Sequence, residues 1–176
     1  MKKFELTAEF VTNVFGKKLF RIKALVAFGN VEKGEIGGFI EKEDNLSHDG
    51  DAWVCGNARV CGNARVCGNA QVFGDARVCG DARVCGNARV CGNADYAVVA
   101  GFGRYFRTTT FFRCKDKILR VQCGCFYGDL AQFREIVKKT HGDSKYAKEY
   151  LAIADLMELH FSDKCGGEQM NDGKIY

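Results

Sequence analysis

The chain has 176 residues, a net charge of +4, 47% hydrophobic residues, 21 glycines, ten cysteines and no proline. That length holds one compact unit or two small ones; the charge is too slight to imply nucleic acid by itself and has the wrong sign for a mimic of DNA. No signal peptide or long apolar segment follows Met1-Lys2-Lys3-Phe4-Glu5, so a soluble, cytoplasmic protein with reduced thiols and no membrane partner is expected.

In chain order, alternating runs Phe4–Val14 and Lys18–Ala27 flank Phe15-Gly16-Lys17 and predict a β-hairpin. Gly34, Gly37 and Gly38 then turn the chain into Phe39-Ile40, and Leu46 follows Ile40 by six residues. Ser47–Asp49 reads as a loop before Trp53-Val54. Residues 1–36 are expected to form an N-terminal hairpin cap over the segment that follows.

From Gly50 to Ala97 run eight six-residue units of the form Gly-Asn/Asp-Ala-Arg-Val-Cys, as in Gly56-Asn57-Ala58-Arg59-Val60-Cys61. So short a period marks a solenoid in which each unit forms one side of a triangular coil. Within a unit Ala58 and Val60 share one strand face, and Arg59 and Cys61 share the other. The alanine–valine face must be interior, because arginines cannot be buried unpaired. Glycine and Asn/Asp take the corners. Three units close a coil, so residues eighteen apart stack at roughly 4.8 Å. The columns are then Arg59 over Arg77, Arg65 over Arg83, and Trp53 over Gln71 over Arg89. Cys61 stacks on Cys79 and Cys67 on Cys85, while Phe73 lies between Cys55 and Cys91. Six of the ten cysteines occupy one repeat position, so duplication explains their number better than disulfide pairing.

Past Ala100 the period ends. Arg104–Cys114 and Ile118–Phe126 flank Lys115-Asp116-Lys117 and predict a second hairpin. One helix is expected from an Asp129 cap to about Thr140, with Leu130, Phe133, Ile136 and Val137 on one face and Gly142 as its stop. Another runs from a Ser144 cap to about Phe161, with Tyr146, Tyr150, Leu151, Ala154 and Met157 on one face. The expected boundaries are 37–97 for the repeat, 98–162 for a ββαα module and 163–176 for a flexible tail.

The spacing of Val60 and Ala64 in the repeat resembles the hexapeptide repeat of left-handed β-helices. The implied fold class is mainly β: a short left-handed parallel β-helix with an N-terminal β-hairpin cap and a C-terminal ββαα module. Phe20-Arg21-Ile22-Lys23-Ala24-Leu25, Gly37–Ser47, the repeat, Arg107–Phe112 and Cys123-Gly124-Cys125-Phe126 together resemble a family of hexapeptide-repeat proteins from phages and gut bacteria. That resemblance implies no activity. A phage origin would make inhibition of a host defence enzyme, such as a CRISPR nuclease, the associated role.

Left-handed β-helices often resemble acyltransferases, which use a histidine general base between coils. Here His48, His141 and His160 all lie outside the regular repeat, and the solenoid is short for an acyl-carrier groove. A non-catalytic protein without cofactor is expected, with an acyltransferase as the enzymatic alternative. Cys114, Cys123 and Cys125 lack the neighbours for a closed zinc site, and no CxxC pair occurs, so no metal is expected.

Arginine columns suit a polyanion or an acidic protein surface, although duplication of a soluble residue also produces them. Arg104, Arg107, Arg113, Lys115, Lys117 and Arg120 interleave with Tyr105, Phe106, Phe111 and Phe112. Such a pattern grips nucleic acid, or is a hairpin with a wet side and a buried aromatic side. The candidate binding residues are Arg59, Arg65, Arg77, Arg83, Arg89, Arg104, Arg107 and Arg113. The expected partner is a host or phage protein, with a homo-oligomer, a dimer above all, and with nucleic acid as the alternative.

Overall fold

A two-residue strand between turns has only two faces, so each repeat unit must turn Ala and Val one way and Arg the other. The computed structural model, which describes residues 1–162, has this arrangement. Val54, Val60, Val66, Val72, Val78, Val84 and Val90 are fully buried, as are the repeat alanines from Ala52 to Ala88. The expected tail at 163–176 lies outside the described residues.

The elements before the regular repeat are β1 (Phe4–Thr12), β2 (Lys18–Ala24) and β3 (Ile36–Ile40). Seven two-residue strands follow: β4 (Trp53–Val54), β5 (Arg59–Val60), β6 (Arg65–Val66), β7 (Gln71–Val72), β8 (Arg77–Val78), β9 (Arg83–Val84) and β10 (Arg89–Val90). Parallel pairing makes three faces: β3-β5-β8, β4-β7-β10 and β6-β9. The register is the one arithmetic requires, with Arg59 beside Arg77, Arg65 beside Arg83, and Trp53, Gln71 and Arg89 in line. A bridge between Leu46 and Val66 extends the third face upstream. Ile40 pairs with Val60, twenty residues on, so the first coil carries two extra residues, in the loop after Leu46. Each regular corner turns on a glycine in the left-handed region, as at Gly62 (φ 70°) and Gly68 (φ 67°).

An open solenoid end would leave strand N–H groups and an apolar hole exposed. At the first end, β1 and β2 pair as the expected hairpin, and β2 continues through β3 into the first face. Phe4, Ile22 and Ala24 plug the core there. Lys3 Nζ donates to the carbonyls of Gly50 (3.1 Å) and Ala52 (2.9 Å). Asn45, fully buried, donates to Gly62 and Ala64 carbonyls across the corner. Trp53, expected on the outside, is 3% exposed, because Phe28 packs edge-on against it at 5.4 Å and Gly37 leaves room for its ring. The N-terminal segment thus covers an outward position that the period alone leaves wet.

At the other end the module is larger than a ββαα unit. Its sheet has four antiparallel strands in sequential order: β11 (Tyr96–Phe102), β12 (Arg107–Arg113), β13 (Leu119–Cys123) and β14 (Phe126–Asp129). β12 crosses the last coil and serves two cores. Phe112 enters the solenoid core and Phe111 the module core, and both are fully buried. Capping bonds complete the closure: Asn93 Oδ1 accepts from Arg77 N (2.9 Å) and Thr110 Oγ1 from Arg83 N (3.1 Å). Asp95 accepts from the N–H groups of Cys91 and Gly92.

Helices α1 (Leu130–His141) and α2 (Lys145–His160) cover the sheet, with Asp129 and Ser144 as the expected N-caps. The buried face of α2 is Ala147, Tyr150, Ile153, Ala154 and Met157; Tyr150, Ala154 and Met157 are as expected, and Ala147 and Ile153 take the places expected of Tyr146 and Leu151. Tyr146 lies exposed and Leu151 half-buried, as small Ala147 and Ala154 make the close contact instead. Ile136 of α1 is likewise more exposed than its neighbours Phe133 and Val137.

Candidate interaction surface

The eight candidate arginines fall into three groups, one for each solenoid face. Arg59 and Arg77 share the first face, whose upstream position is Phe39. Arg21 stacks on Phe39 at 4.2 Å and is held there by Glu9 at 2.8 Å. This column ends at Asn93 and Tyr96, whose hydroxyl donates to the Arg77 carbonyl.

Arg65 and Arg83 share the face that β12 crosses. There Arg83 and Arg107 line a cleft of about 350 Å³ with Thr108, Thr110 and Gln122. Gly124 lines it too, and a Cβ there would stand 2.5 Å from Arg107 Nη1. Asp81 lines it as well and accepts from Asn63 Nδ2 at 3.0 Å. Among the described residues, none of Arg59, Arg65, Arg77, Arg83, Arg89, Arg104 or Arg107 forms an ion pair.

Arg89 lies on the β4-β7-β10 face over Phe73, at 5.1 Å, in a cleft shared with Arg113, Lys115 and Lys117. Arg113 is a brace there. It reaches Asp95 at 3.7 Å, donates to the Phe161 carbonyl at 3.1 Å and lies over the Phe161 ring. Its guanidinium ties α2 to the end of the solenoid.

The aromatics of residues 104–120 divide cleanly. Phe111 and Phe112 are core, whereas Tyr105 and Phe106, at 63% and 71% exposure, stand at the tip of the β11–β12 hairpin. Arg104 and Arg107 both lie against the Tyr105 ring, at 5.6 and 5.0 Å. Arg107 therefore joins the tip to the Arg65–Arg83 column. Thr108, Thr110, Gln122 and Gly124 were not among the candidate binding residues, because they meet Arg83 only through the crossing of β12 over the last coil.

The histidines are engaged. His48 stacks on Phe4 at 4.4 Å; its Nδ1 accepts from Lys3 N at 3.1 Å, and its Nε2 faces Glu43 Oε1 at 2.8 Å. This contact, with Lys2 helping, holds the Glu43 carboxyl below its usual range. His141 stacks on Tyr150 at 5.9 Å, and His160 packs edge-on against Phe161 at 4.8 Å.

Cys55, Cys61, Cys67, Cys79, Cys85, Cys114, Cys123 and Cys125 are free thiols, and among the described residues no group of three or more His, Cys, Asp or Glu could hold a metal ion. Arg113 pairs with Leu119 and Thr109 with Cys123, which separates Cys114 from Cys123 along the ladder. Within the second column, Cys67 accepts a hydrogen bond from Cys85 and feels Arg65 and Arg83, which together bring its thiol down to about 7. The same bond pushes Cys85 up.

The YdcK beta solenoid repeat model matches residues 52–68, 58–74, 70–86 and 82–94. The similarity is to the regular coils and leaves both capping modules outside it. A comparison with curated proteins finds no match. By fold and by this similarity the chain is a repeat β-solenoid protein, and no helix of its described residues is long and apolar enough to cross a membrane.

Proposed function

We propose that this chain is a non-catalytic interaction protein that docks the face carrying Arg65, Arg83 and Arg107, with the Tyr105–Phe106 tip beside it, on another macromolecule. The observation that carries the reading is the junction itself. Unpaired guanidinium groups from a solenoid column and from a separate strand converge beside two exposed aromatic rings. Arginine and tyrosine are the side chains that concentrate binding energy at protein interfaces. His48 supports the non-catalytic reading, because both its ring nitrogens are occupied and its face is covered by Phe4.

The finer parts of the reading come from the resemblance to hexapeptide-repeat proteins. They are a left-handed coil, a phage-encoded protein working in the host cytoplasm, and a host or phage protein as partner, a CRISPR-type defence nuclease among the candidates. Self-association as a dimer is proposed separately, because exposed flat faces and apolar helix surfaces favour symmetric pairing. The test is capture from a host lysate with wild-type protein and with the Arg83→Glu, Arg107→Glu double variant. A macromolecule retained by the first and lost by the second supports the reading; equal retention by both removes this face from it.

Nucleic acid is the second reading, favoured by the exposed Tyr105 ring with Arg104 and Arg107 against it, an aromatic-basic pair of the kind that stacks a base and grips its phosphate. Salt-dependent retention of single-stranded DNA or RNA, lost on Tyr105→Ala, would select it over a protein partner.

A further inference from the structure

We infer that the cleft between the last solenoid coil and β12 is a phosphate-binding site. The inference deepens the docking reading above, since it rests on this face being the working surface, and it names the chemistry recognised there.

The cleft brings two guanidinium groups, Arg83 and Arg107, to one space from unrelated parts of the chain, and neither has a carboxylate partner among the described residues. Hydroxyl donors lie between them. Thr110 is 1% exposed, and its oxygen accepts the Arg83 N–H at 3.1 Å, which leaves its O–H proton to donate elsewhere. Thr108 lines the same wall. Gln122 donates to the Gly124 carbonyl at 2.8 Å and so steadies the turn under Arg107 rather than offering another donor.

Arg107 is held ready for a ligand. Gly124 has φ 59°, and its missing Cβ is what lets the guanidinium settle on the turn, while Tyr105 backs the group from the hairpin tip. A side chain fixed in advance loses less entropy on binding. One carboxylate, Asp81, also lines the cleft and keeps its charge while accepting from Asn63 Nδ2. Two cations against one carboxylate repel a metal ion and favour an oxyanion, and the forked guanidinium matches a phosphoryl group in two-point fashion. A cleft of about 350 Å³ falls in the range of small-molecule sites, roughly 300–1,000 Å³, so it has room for more than a bare ion. Phosphate carried on a nucleotide and free phosphate share this chemistry.

Calorimetric titration of the full chain at low salt with inorganic phosphate, and separately with adenosine monophosphate, tests the site. Saturable binding is expected, weakened roughly tenfold or more by Arg83→Gln and by Arg107→Gln. Arg59→Gln, at the same repeat position on another face, should bind as the wild type does, and circular dichroism confirms that each variant is folded. Tighter binding of the nucleotide than of phosphate assigns the phosphoryl group to a nucleotide, and equal binding assigns it to free phosphate. No saturation by either below about 10 mM overturns the site, as does an equal loss on Arg59→Gln. If titration fails while macromolecular capture still depends on Arg83 and Arg107, the phosphate site falls and the docking surface stands.

Discussion

Phe111 and Phe112 are adjacent in sequence, equally buried and of identical chemistry, yet they belong to different cores, and this makes a sharp test of the architecture. On β12 their side chains leave opposite faces, so Phe112 closes the solenoid tube and Phe111 packs under α1 and α2. Truncating a buried phenylalanine to alanine costs about 3–5 kcal/mol. Phe111 also meets Phe133 edge-on at 6.1 Å and 88°, which adds about 0.5–1.5 kcal/mol to its share. Phe112 has a comparable ring partner in Tyr127, at 6.3 Å, so urea unfolding should find the two alanine variants about equally damaging. Hydrogen exchange separates the two. Phe112→Ala should release amides of the last coil, around Arg83 and Arg89, and leave those of α1 and α2 protected. Phe111→Ala should do the reverse. If both substitutions release the same amides to the same extent, the two-core account of β12 is wrong.

Gly80 and Gly86 occupy the same corner position, at φ 68° and 64°, but only Gly86 lies under a side chain, the Tyr127 ring and hydroxyl. Gly80→Ala should cost about 1–2 kcal/mol from the left-handed backbone alone, and Gly86→Ala should lower Tm further; shortening Tyr127 to alanine should close the gap. Cys67, brought down to about 7 by the Cys85 thiol, Arg65 and Arg83, should be alkylated by iodoacetamide at neutral pH before Cys85 and before Cys61, whose pKa burial raises. Mass spectrometry of the labelled peptides decides this, and equal labelling of Cys61 and Cys67 refutes it. The Glu41 carboxylate accepts from Gly62 N at 2.7 Å and Lys17 Nζ at 2.9 Å, and these bonds lower its pKa. A lowered folded-state pKa gives stability that is present above the ordinary glutamate value and lost as pH falls through the lowered one. Glu41→Gln should therefore flatten the acid side of a urea-midpoint profile; an unchanged acid side would show that the bonds contribute nothing.

Much of the fold was legible because the repeat is consistent at every level. Its turn residues, its alternation and its period all demand one coil, and the pairing of Arg59 with Arg77 follows from counting. Helix caps at Asp129 and Ser144 were legible for the same local reason. The misplaced details are non-local. β11 begins where the repeat fades and is half wet, and β14 is four residues long with a glycine inside it, so neither carries a clear alternation. Trp53 looks outward by period and is covered only because a distant segment folds over it. The cleft is the extreme case, since Arg107 and Thr110 approach Arg83 only when a whole strand crosses the coil.

Magnitude decides how much weight the arginine columns deserve. Two unit charges about 5 Å apart in water repel by only about 1 kcal/mol, less with salt. Duplication can copy an arginine through successive coils at that small cost, so a column alone does not mark a function. Arg59 and Arg77 fit this description: their column simply ends, at Asn93 and Tyr96. The Arg65–Arg83 column differs, because the next cation on that face, Arg107, comes from outside the repeat and has no carboxylate partner among the described residues, whereas Arg21 beside the other column is held by Glu9. Duplication of a hexapeptide cannot place Arg107 there, nor the Gly124 that admits it or the exposed Tyr105 that backs it. Two independent parts of the sequence converge on one cleft in which arginines outnumber the carboxylate, and an oxyanion ligand accounts for that convergence where copying does not.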